Sequence, residues 1–377
     1  MRITRALTWI GLALATTPAC ARDAELRALA DLDVGTADLD GLTVVVSEGL
    51  AHVRRIEVGR DGQPGRLELW ALAPAFELTL EATPAADRDW LVIVSNCMPD
   101  AVARALDEGI QILALEDPRP TGQSWHVTLP QAGATARARV QIAPPDAADQ
   151  DPDDAWRFAV VSDVQLALPR FDEILEHVGR DRAVRFILST GDLLNWGRLH
   201  EYELLEEQLA KSAVPLFSTI GNHEAIEDPM RWHERFGRFN VHFRYRDVVF
   251  SLVDSANAGI DPAMYERLDE WLVDGADRVH VFATHYPLFD PAGARASSFR
   301  SLREGQMLLE RLAAGGVDVT FYGHVHSFYE YCNAGIPAYI SGGGGGLPER
   351  WDGIGRHFLT VDVTAREIRG VSVVAVD

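Results

Sequence analysis

The chain has 377 residues, of which 47% are hydrophobic, and its 35 basic and 56 acidic side chains give a net charge of −21. A single hydrophobic core usually stops growing at about 250 to 300 residues, so this length predicts two domains. The negative charge disfavours nucleic acids and anionic membrane surfaces as partners, because both would repel the protein. No nucleic-acid-binding surface is evident in the sequence, and an anionic substrate would require local positive charge.

The first 21 residues have the pattern of a signal peptide. Two arginines precede an apolar run at residues 6 to 15, which is too short to cross a bilayer as a helix, and small residues follow it. Residues 17 to 20 resemble a bacterial lipobox, which would leave a lipid anchor on Cys20 at the mature N-terminus. Ordinary secretory cleavage after Ala21 is the alternative. Both interpretations predict an exported protein, either periplasmic, an outer-membrane lipoprotein or secreted.

Residues 23 to 143 contain short β-favouring runs separated by turn residues such as Asp61-Gly62 and Pro64-Gly65. The predicted strands are 42–47, 67–72, 76–80, 90–95 and 125–129. Their spacing predicts a small antiparallel β-sandwich domain. No cluster of metal-ligating residues occurs in it, which favours a packing or spacer role. Residues 144 to 155 are polar, acidic and proline-containing, and are predicted to be a linker between two domains.

Cys97 and Cys332 are the two cysteines beyond the signal pattern. In an oxidising compartment they could form a disulfide between the two predicted domains. Two buried free thiols are the simpler interpretation, because free cysteine is among the residues most often buried in protein cores.

From residue 156 to residue 377, strand and helix patterns alternate, which predicts an α/β domain. The predicted strands are 156–162, 186–190, 215–220, 243–245, 248–253, 279–283, 317–322, 338–341, 358–363 and 371–376. Helices are predicted near 171–178, 201–210, 230–236, 262–272 and 304–313. Because Arg246-Asp247 joins two neighbouring strands as a tight hairpin, the sheet is predicted to be mixed.

Several of these apolar runs end in a residue that can bind a metal ion. These residues are Asp163, Asp192, Asn222, His285 and His324. In layered α/β folds, functional sites form just beyond strand ends, so residues far apart in sequence are expected to converge there. Carboxylates, imidazoles and an amide oxygen can together hold two divalent cations. Such a pair polarises a phosphoryl group and lowers the pKa of a bound water, which favours in-line attack.

Five short motifs contain these residues in order: SDVQ (162–165), GD (191–192), GNHE (221–224), THYP (284–287) and GHVH (323–326). Together they resemble the ordered blocks of the calcineurin-like metallophosphoesterase family. The resemblance covers residues 156 to 377. It implies an α/β fold, namely a four-layer metallophosphoesterase-like β-sandwich flanked by helices, which here follows a smaller all-β sandwich domain.

The resemblance also implies a role for each residue of the motifs. The metal ligands it implies are Asp163, Gln165, Asp192, Asn222, His285, His324 and His326. Asp192 would bridge two divalent ions (Mn, Zn, Fe or Mg), and the catalytic residues would be His223, Asn222 and Asp192, with His223 as general acid or transition-state donor. The implied reaction is hydrolysis of a phosphomonoester or phosphodiester, in a small molecule or a macromolecule, by a metal-bridging hydroxide.

Three positions depart from the family pattern. Gln165 stands where many relatives have a histidine ligand, and its neutral amide predicts a site that binds loosely or selects Mn or Mg. Asn195 and Trp196 stand where one branch has a carboxylate and a phosphate-binding arginine, which favours a diester or a bulky monoester. Asn195 also replaces the iron-binding tyrosine of purple acid phosphatases. The alternative hypothesis is a catalytically degenerate phosphoesterase-fold binding protein at the cell surface.

Overall fold

The computed structural model describes residues 19–130, 135–145, 147, 151–293, 297–351 and 353–377. Residues 1 to 18 of the predicted signal peptide (1 to 21) lie outside the described residues, and so does the side chain of Cys20. The predicted linker at 144 to 155 lies partly outside them. Within the described ranges, no helix combines the length and the apolar character that a membrane crossing requires.

The first part of the chain is almost entirely β-structure. Its elements are α1 (Ala19–Ala30), β1 (Thr36–Leu39), β2 (Leu42–Val46), β3 (Ala51–Glu57), β4 (Gly65–Ala71), β5 (Phe76–Ala82), β6 (Asp89–Ser95), β7 (Val102–Ala105), β8 (Gln111–Leu115), β9 (Gln123–Thr128) and β10 (Ala136–Ala143). They form two five-stranded sheets, in the orders β1-β2-β5-β10-β7 and β3-β4-β6-β9-β8. Alternate residues of both sheets are buried in one core. The predicted all-antiparallel pairing is wrong at one pair, because β4 and β6 run parallel.

Helix α1 was not predicted, and it packs against the second part of the chain. Arg27, only 1% exposed, donates from Nε to Asp254 Oδ2 at 2.6 Å and from Nη2 to Asn257 Oδ1. Just after the helix, Asp31 accepts hydrogen bonds from the backbone of Phe239 and Asn240. The sandwich therefore does not begin at residue 23, and the other predicted domain boundaries stay predictions.

The cysteines outside the signal pattern are both free thiols. Cys97 is buried, and burial raises the pKa of its thiol to about 12. The predicted burial of Cys332 is wrong, because this residue is exposed. It lies in a strand at the edge of its sheet, where side chains have fewer neighbours to cover them.

The second part of the chain alternates strands with helices. Its elements are β11 (Trp156–Val161), α2 (Phe171–Arg180), β12 (Val184–Ser189), α3 (Leu199–Leu209), β13 (Leu216–Ser218), α4 (Met230–Phe236), β14 (Val241–Tyr245), β15 (Val248–Val253), α5 (Met264–Gly275), β16 (Val279–Thr284), α6 (Leu302–Ala314), β17 (Val319–Tyr322), β18 (Phe328–Asn333), β19 (Ile336–Ser341), β20 (His357–Val363) and β21 (Ile368–Ala375). One sheet has the order β13-β12-β11-β20-β21 and the other β14-β15-β16-β17-β19-β18. Both sheets are mixed, as predicted.

Two sheets and two helical layers give the four-layer arrangement that the resemblance implied. The apolar faces of α2 and α3 belong to the same core as the first sheet, while α5 and α6 cover the second sheet through residues such as Leu268 and Leu308. Between the sheets lies an aromatic core that includes Phe158, Phe186 and Phe250, all fully buried. This rigid interior holds the strand ends, and therefore the loops beyond them, in fixed positions.

Replacing Phe186 with alanine is expected to lower the free energy of unfolding by about 3 to 5 kcal/mol, because a buried aromatic ring leaves a cavity behind. Six aromatic rings surround Phe186, with centroid distances from 5.4 to 6.0 Å. Urea unfolding followed by circular dichroism measures the change. Val273→Ala, at a side chain 78% exposed, is the control that should change little. Equal losses in the two variants would contradict the prediction.

Candidate metal centre

Strand ends from both sheets of the second part meet at one edge and carry the predicted ligands. Strands β11, β12 and β13 are mutually parallel, as are β15, β16 and β17, so within each set the carboxyl ends point the same way. The residues that follow these ends are Asp163 after β11, Asp192 after β12, Asn222 after β13, His285 after β16 and His324 after β17. Topology alone thus brings together side chains separated by up to 161 positions.

The backbone at this edge is held in an unusual conformation. Asp163, Asp192 and His324 have φ angles of 59°, 52° and 66°, in the left-handed region that non-glycine residues rarely adopt. Each such residue costs about 1 to 3 kcal/mol and persists only where its surroundings enforce it. Gly221 lets the loop after β13 approach Asp192 closely, because a Cβ at position 221 would lie only 2.1 Å from Asp192 Oδ1. Strain concentrated at one cluster is typical of functional sites.

Asp192, His285 and His324 form the first half of the cluster, with ligand atoms all within 4.8 Å of one another. His285 Nε2 lies 3.3 Å from Asp192 Oδ2 and 3.1 Å from Asn222 Oδ1. His324 Nδ1 lies 3.1 Å from the same Asn222 oxygen. The other nitrogen of His285, Nδ1, bonds to the Thr190 carbonyl at 3.0 Å, which turns Nε2 towards the cluster.

Asp163, His326 and Gln165 form the second half. His326 Nε2 lies 3.3 Å from Asp163 Oδ1, and its Nδ1 donates to the Leu347 carbonyl at 2.7 Å. Gln165 donates from Nε2 to Asp192 Oδ2 at 3.0 Å and lies 3.1 Å from His326 Nε2. Its amide nitrogen therefore faces the cluster, and a half-turn of the amide would present the oxygen instead. The structure brings all seven predicted ligands together, and their role as ligands stays a prediction.

The donor set fits a divalent cation. Asp163 is fully buried, and its Oδ1 has no hydrogen-bond partner among the described residues, although His326 Nε2 lies 3.3 Å away. A buried carboxylate oxygen without a donor is costly unless a cation compensates it. Carboxylate, imidazole and amide donors together suit Mn, Zn or Fe better than an alkali ion.

The carboxylates alter the pKa of the imidazoles beside them. Burial is the largest single contribution and lowers the pKa of His285, but the charge and hydrogen bond of Asp192, together with the charges of Asp163 and Glu224, outweigh it and raise this pKa to about 9. For His326, burial is again the largest single contribution, but the nearby Asp163 carboxylate, the Leu347 carbonyl and the Asp192 charge together outweigh it and raise the pKa to about 9. Burial, reinforced by the His285 charge, lowers the pKa of His324 to about 4. The cation-free protein therefore carries two protonated imidazoles at neutral pH.

The affinity for Mn²⁺ is expected to fall as the pH is lowered from 8 to 6. Because both raised pKa values lie near 9, binding must expel protons, and the affinity should change by roughly tenfold per pH unit for each proton expelled. Isothermal titration calorimetry at several pH values measures this dependence, and thermal unfolding at each pH checks that the protein is folded. An affinity that does not vary with pH would contradict the prediction.

Glu224 supports the loops of the site instead of facing the cluster. It is fully buried and accepts the backbone N–H groups of Asp192, Leu194 and Gly221, each at 2.8 Å. Burial, followed by the charge of Asp192, raises the pKa of Glu224 to about 7. These three hydrogen bonds join the loop after β12 to the loop after β13.

His223 lies at the rim of the cluster. Its Nδ1 donates to the Asn195 carbonyl at 2.5 Å, and its Nε2 lies 3.9 Å from Asp192 Oδ2. A backbone carbonyl thus orients the imidazole at the position where some relatives are expected to use a carboxylate. One quarter of the side chain is exposed, so a substrate can reach Nε2.

Sequence reasoning missed three contacts of the site. The Tyr286 ring packs on the His324 ring, with centroids 3.8 Å apart. The carbonyls of Thr190 and Leu347 orient His285 and His326. Tyr286 could have been noted as the neighbour of His285 in the THYP motif. The carbonyls give no signal in the sequence, because every residue type carries one.

Residues 157–328 match the family model described as calcineurin-like phosphoesterase. No curated protein matches the chain. Among solved structures, it is similar to purple acid phosphatase PPD1 from yellow lupin (Lupinus luteus) seeds, with 14% identity, 79% of this chain and 72% of that chain covered, and a TM-score of 0.49. It is also similar to a dimetal phosphatase from Danio rerio, with 12% identity, coverage of 59% and 99%, and a TM-score of 0.45. The match to the family model shows that residues 157–328 are a calcineurin-like phosphoesterase domain.

Proposed function

We propose that this protein is an exported, cation-dependent phosphoesterase that hydrolyses a phosphomonoester or phosphodiester. One observation carries the catalytic part of the proposal, namely that the seven predicted ligands converge. Two further observations support it: Asp163 Oδ1 is buried without a hydrogen-bond partner among the described residues, and His223 Nε2 lies 3.9 Å from Asp192 Oδ2. A degenerate site would be expected to lose part of this set. Carboxylate and imidazole groups that interact strongly in a cleft are typical of catalytic sites.

The chain supplies the ligands and the proton donor that phosphoryl transfer needs. When bound, two divalent cations polarise the phosphoryl group and lower the pKa of a water near it. The residues that would hold them are Asp163, Asp192, Asn222, His285, His324 and His326, with Gln165 after its amide turns. Asn222 directs Oδ1 to the two imidazoles of its half, which leaves its Nδ2 hydrogens for a phosphoryl oxygen.

His223 is the residue that would protonate the leaving group. Its Nδ1 is occupied by the Asn195 carbonyl, so Nε2 is the ring nitrogen that remains to hold a proton for the departing oxygen. The imidazole is one quarter exposed at the rim, which leaves room for the ester group on its open side.

The rim of the site favours a substrate with an apolar group. Four large hydrophobic side chains that are near the site residues in sequence are exposed: Leu166, Trp196, Ile226 and Leu347. Leu166 lies in a short 3-10 helix that begins at Gln165, and the other three lie in loops. Leu166, Trp196 and Ile226 are within three residues of Gln165, Asn195 and His223, respectively. The backbone carbonyl of Leu347 binds His326. Exposed hydrophobic groups that surround a polar centre are typical of binding sites. We therefore infer an aryl or alkyl diester, or a bulky monoester, as substrate.

The test uses the purified protein loaded with Mn²⁺, Zn²⁺ or Fe²⁺ and two chromogenic substrates, p-nitrophenyl phosphate and bis-p-nitrophenyl phosphate. Hydrolysis that depends on the cation and is abolished by chelation supports the proposal. Preference for the diester supports the finer assignment, because no arginine stands at the position of Trp196 to bind a dianionic phosphate bidentately. If none of the three cations gives hydrolysis of either substrate, the proposed catalysis is wrong.

Trp196→Ala is expected to lower kcat/KM for p-nitrophenyl esters by about tenfold, which corresponds to about 1.4 kcal/mol of lost aromatic contact. The same variant should hydrolyse methyl phosphate, which has no ring, at the wild-type rate. Leu113→Ala, an exposed apolar residue of the first part, is the matched control. An equal decrease for both substrates would show that Trp196 supports the loop and does not contact the ester.

The alternative is a degenerate phosphoesterase fold that binds a ligand at the cell surface without hydrolysing it. The orientation of Gln165, whose amide nitrogen faces the cluster, is the observation in its favour. Elemental analysis distinguishes the two functions. Fewer than one bound cation per chain, together with ligand binding that His223→Ala does not change, would favour the alternative.

Export is proposed from the sequence pattern of residues 1 to 21. Labelling of cells with radioactive palmitate separates the two processing routes. Incorporation into the protein would support a lipid anchor on Cys20, whereas its absence from an exported protein would support secretory cleavage after Ala21.

A further inference from the structure

A second cleft lies away from the cation cluster, between the two parts of the chain. Its volume is about 640 Å³, and none of the predicted metal ligands lines it. Glu48 and Leu50 contribute from the first part, and Arg238, Arg244 and Arg267 contribute from the second. Three guanidinium groups at one cleft are unusual in a protein with a net charge of −21.

Two of these arginines lack a directly bonded partner in the part of the chain that the structure describes. Arg238 is only 8% exposed, and its Nε atom is buried without a hydrogen-bond partner. The Nη1 atom of Arg267 is likewise buried without a hydrogen-bond partner. Among the described residues, neither guanidinium forms a hydrogen bond or an ion pair. A buried charged donor without an acceptor costs more than a buried neutral one, so an acceptor from outside the chain would stabilise these positions.

The carboxylates nearby are engaged elsewhere. Asp31 attracts both arginines electrostatically, but its oxygens accept hydrogen bonds from the backbone N–H groups of Phe239 and Asn240. Asp274, which lines the cleft, accepts from Arg244 Nη2 at 2.6 Å and lies 3.3 Å from His242 Nε2.

Two glutamates complete the charges of the cleft. Glu48 and Glu270 line it, and neither forms an ion pair with Arg238 or Arg267 among the described residues. Burial is the largest contribution to the pKa of Arg238 and lowers it, and the charge of Arg267 lowers it further, whereas the charges of Asp31 and Glu48 offset this only in part. The guanidinium of Arg238 is therefore incompletely compensated by the protein itself.

The walls of the cleft join both parts of the chain. The Arg238 guanidinium lies against the turn at Gly49, where an added Cβ would be 2.5 Å from Arg238 Nε. Arg267 lies over the Trp271 ring, with 5.8 Å from its Cζ to the ring centroid, and the His242 ring stacks on the same indole. An anion held here would contact a basic pair from the second part and a turn from the first.

We propose that this cleft is a non-catalytic binding site for a compact oxyanion, either inorganic phosphate or a small dicarboxylate, with Arg238 and Arg267 as its ligands. Guanidinium groups bind both kinds of oxyanion through charge-assisted hydrogen bonds. An anion there stabilises the packing of the first part against the second, since it binds only the folded protein. The proposal is independent of hydrolysis at the cation cluster.

Isothermal titration calorimetry of the Mn²⁺-loaded full-length protein with inorganic phosphate tests the site. The wild type should bind two phosphate ions, one at each site. The double variant Arg238→Met/Arg267→Met should bind only the phosphate at the cation cluster, and phosphate should inhibit its hydrolysis as in the wild type. Asp192→Asn should bind only the phosphate in the cleft. Arg182→Met, at an exposed arginine, is the matched control and should bind two. Two bound phosphates in the double variant, or a single phosphate in the wild type that Arg238→Met/Arg267→Met does not remove, would overturn the proposal.

A thermal unfolding series covers the case in which the double variant is difficult to obtain folded. In wild-type protein at constant ionic strength, phosphate should raise the midpoint by several degrees in a saturable way. The single variant Arg267→Met should lose most of this shift. Its midpoint without anion should not change, because the guanidinium that it removes forms no hydrogen bond or ion pair among the described residues. The same series with succinate distinguishes the two sources of oxyanion. An undiminished phosphate shift in Arg267→Met would contradict the proposal.

Discussion

Asp192→Asn protein is expected to lose its bound cations and its phosphoesterase activity together, with kcat/KM reduced on the order of a thousandfold or more. Asparagine has the shape of aspartate, and its oxygen can still accept the hydrogen bond that Asp192 Oδ1 receives from the His223 backbone at 2.8 Å. An uncharged NH₂ group would replace Oδ2, which lies 3.3 Å from His285 Nε2. The substitution therefore removes the charge and leaves the local fold in place.

Elemental analysis of the purified variant and initial rates with bis-p-nitrophenyl phosphate measure the two effects. Asp61→Asn is the control, because Asp61 is an exposed turn residue of the first part and the substitution is identical in chemistry. The control should keep full cation content and activity. If Asp192→Asn retained both, Asp192 would not be a ligand, and the proposed centre would have to be abandoned.

His223→Gln is expected to lower kcat by about a hundredfold to ten-thousandfold and to leave the cation content unchanged. The imidazole lies at the rim and contacts Asp192 Oδ2 only at 3.9 Å, so the ligands can bind cations without it. What the variant loses is a ring nitrogen that can hold a proton for the leaving group. The loss should be smaller for p-nitrophenolate, which leaves readily without a proton, than for an alkyl alcohol.

The comparison of leaving groups is the decisive measurement for His223. His126→Gln, in strand β9 of the first part, is the matched control and should behave as wild type. If His223→Gln lost bound cations, or slowed aryl and alkyl esters equally, the residue would be a structural support and not the proton donor.

Most strands of both parts could be predicted, and most of those that were missed share a position in their sheets. Five of the six missed strands are at the edge of a sheet: β1, β3, β7, β8 and β18. In β1, β3 and β7, polar or small residues weaken the apolar periodicity, as is common in edge strands. Strands β8 and β18 are mainly apolar or aromatic, so this reason does not apply to them. The sixth, β10, is central, but it alternates arginine with alanine, and alanine gives little hydrophobic signal.

The convergence of the candidate site could also be predicted, because parallel strands place their carboxyl ends at one edge. The orientation of its groups could not. Gln165 presents its amide nitrogen to Asp192, and the Asn195 backbone orients His223, which depends on side-chain torsions and on loops that residue types do not encode. The assignment of each residue as ligand or catalyst stays a prediction until cations and activity are measured.

The sequence by itself determined the alternation of strand and helix in the second part and the calcineurin-like phosphoesterase family of residues 157–328, because hydrophobic periodicity and the order of five motifs are local properties. The predicted division into two domains stays a prediction. Only the tertiary structure decided where helix α1 packs, which residues form the rim and that Arg238 and Arg267 share a cleft with the turn at Gly49. These features depend on contacts between segments far apart in the chain. Such contacts are set by how the sheets and helices pack, and no local pattern records them.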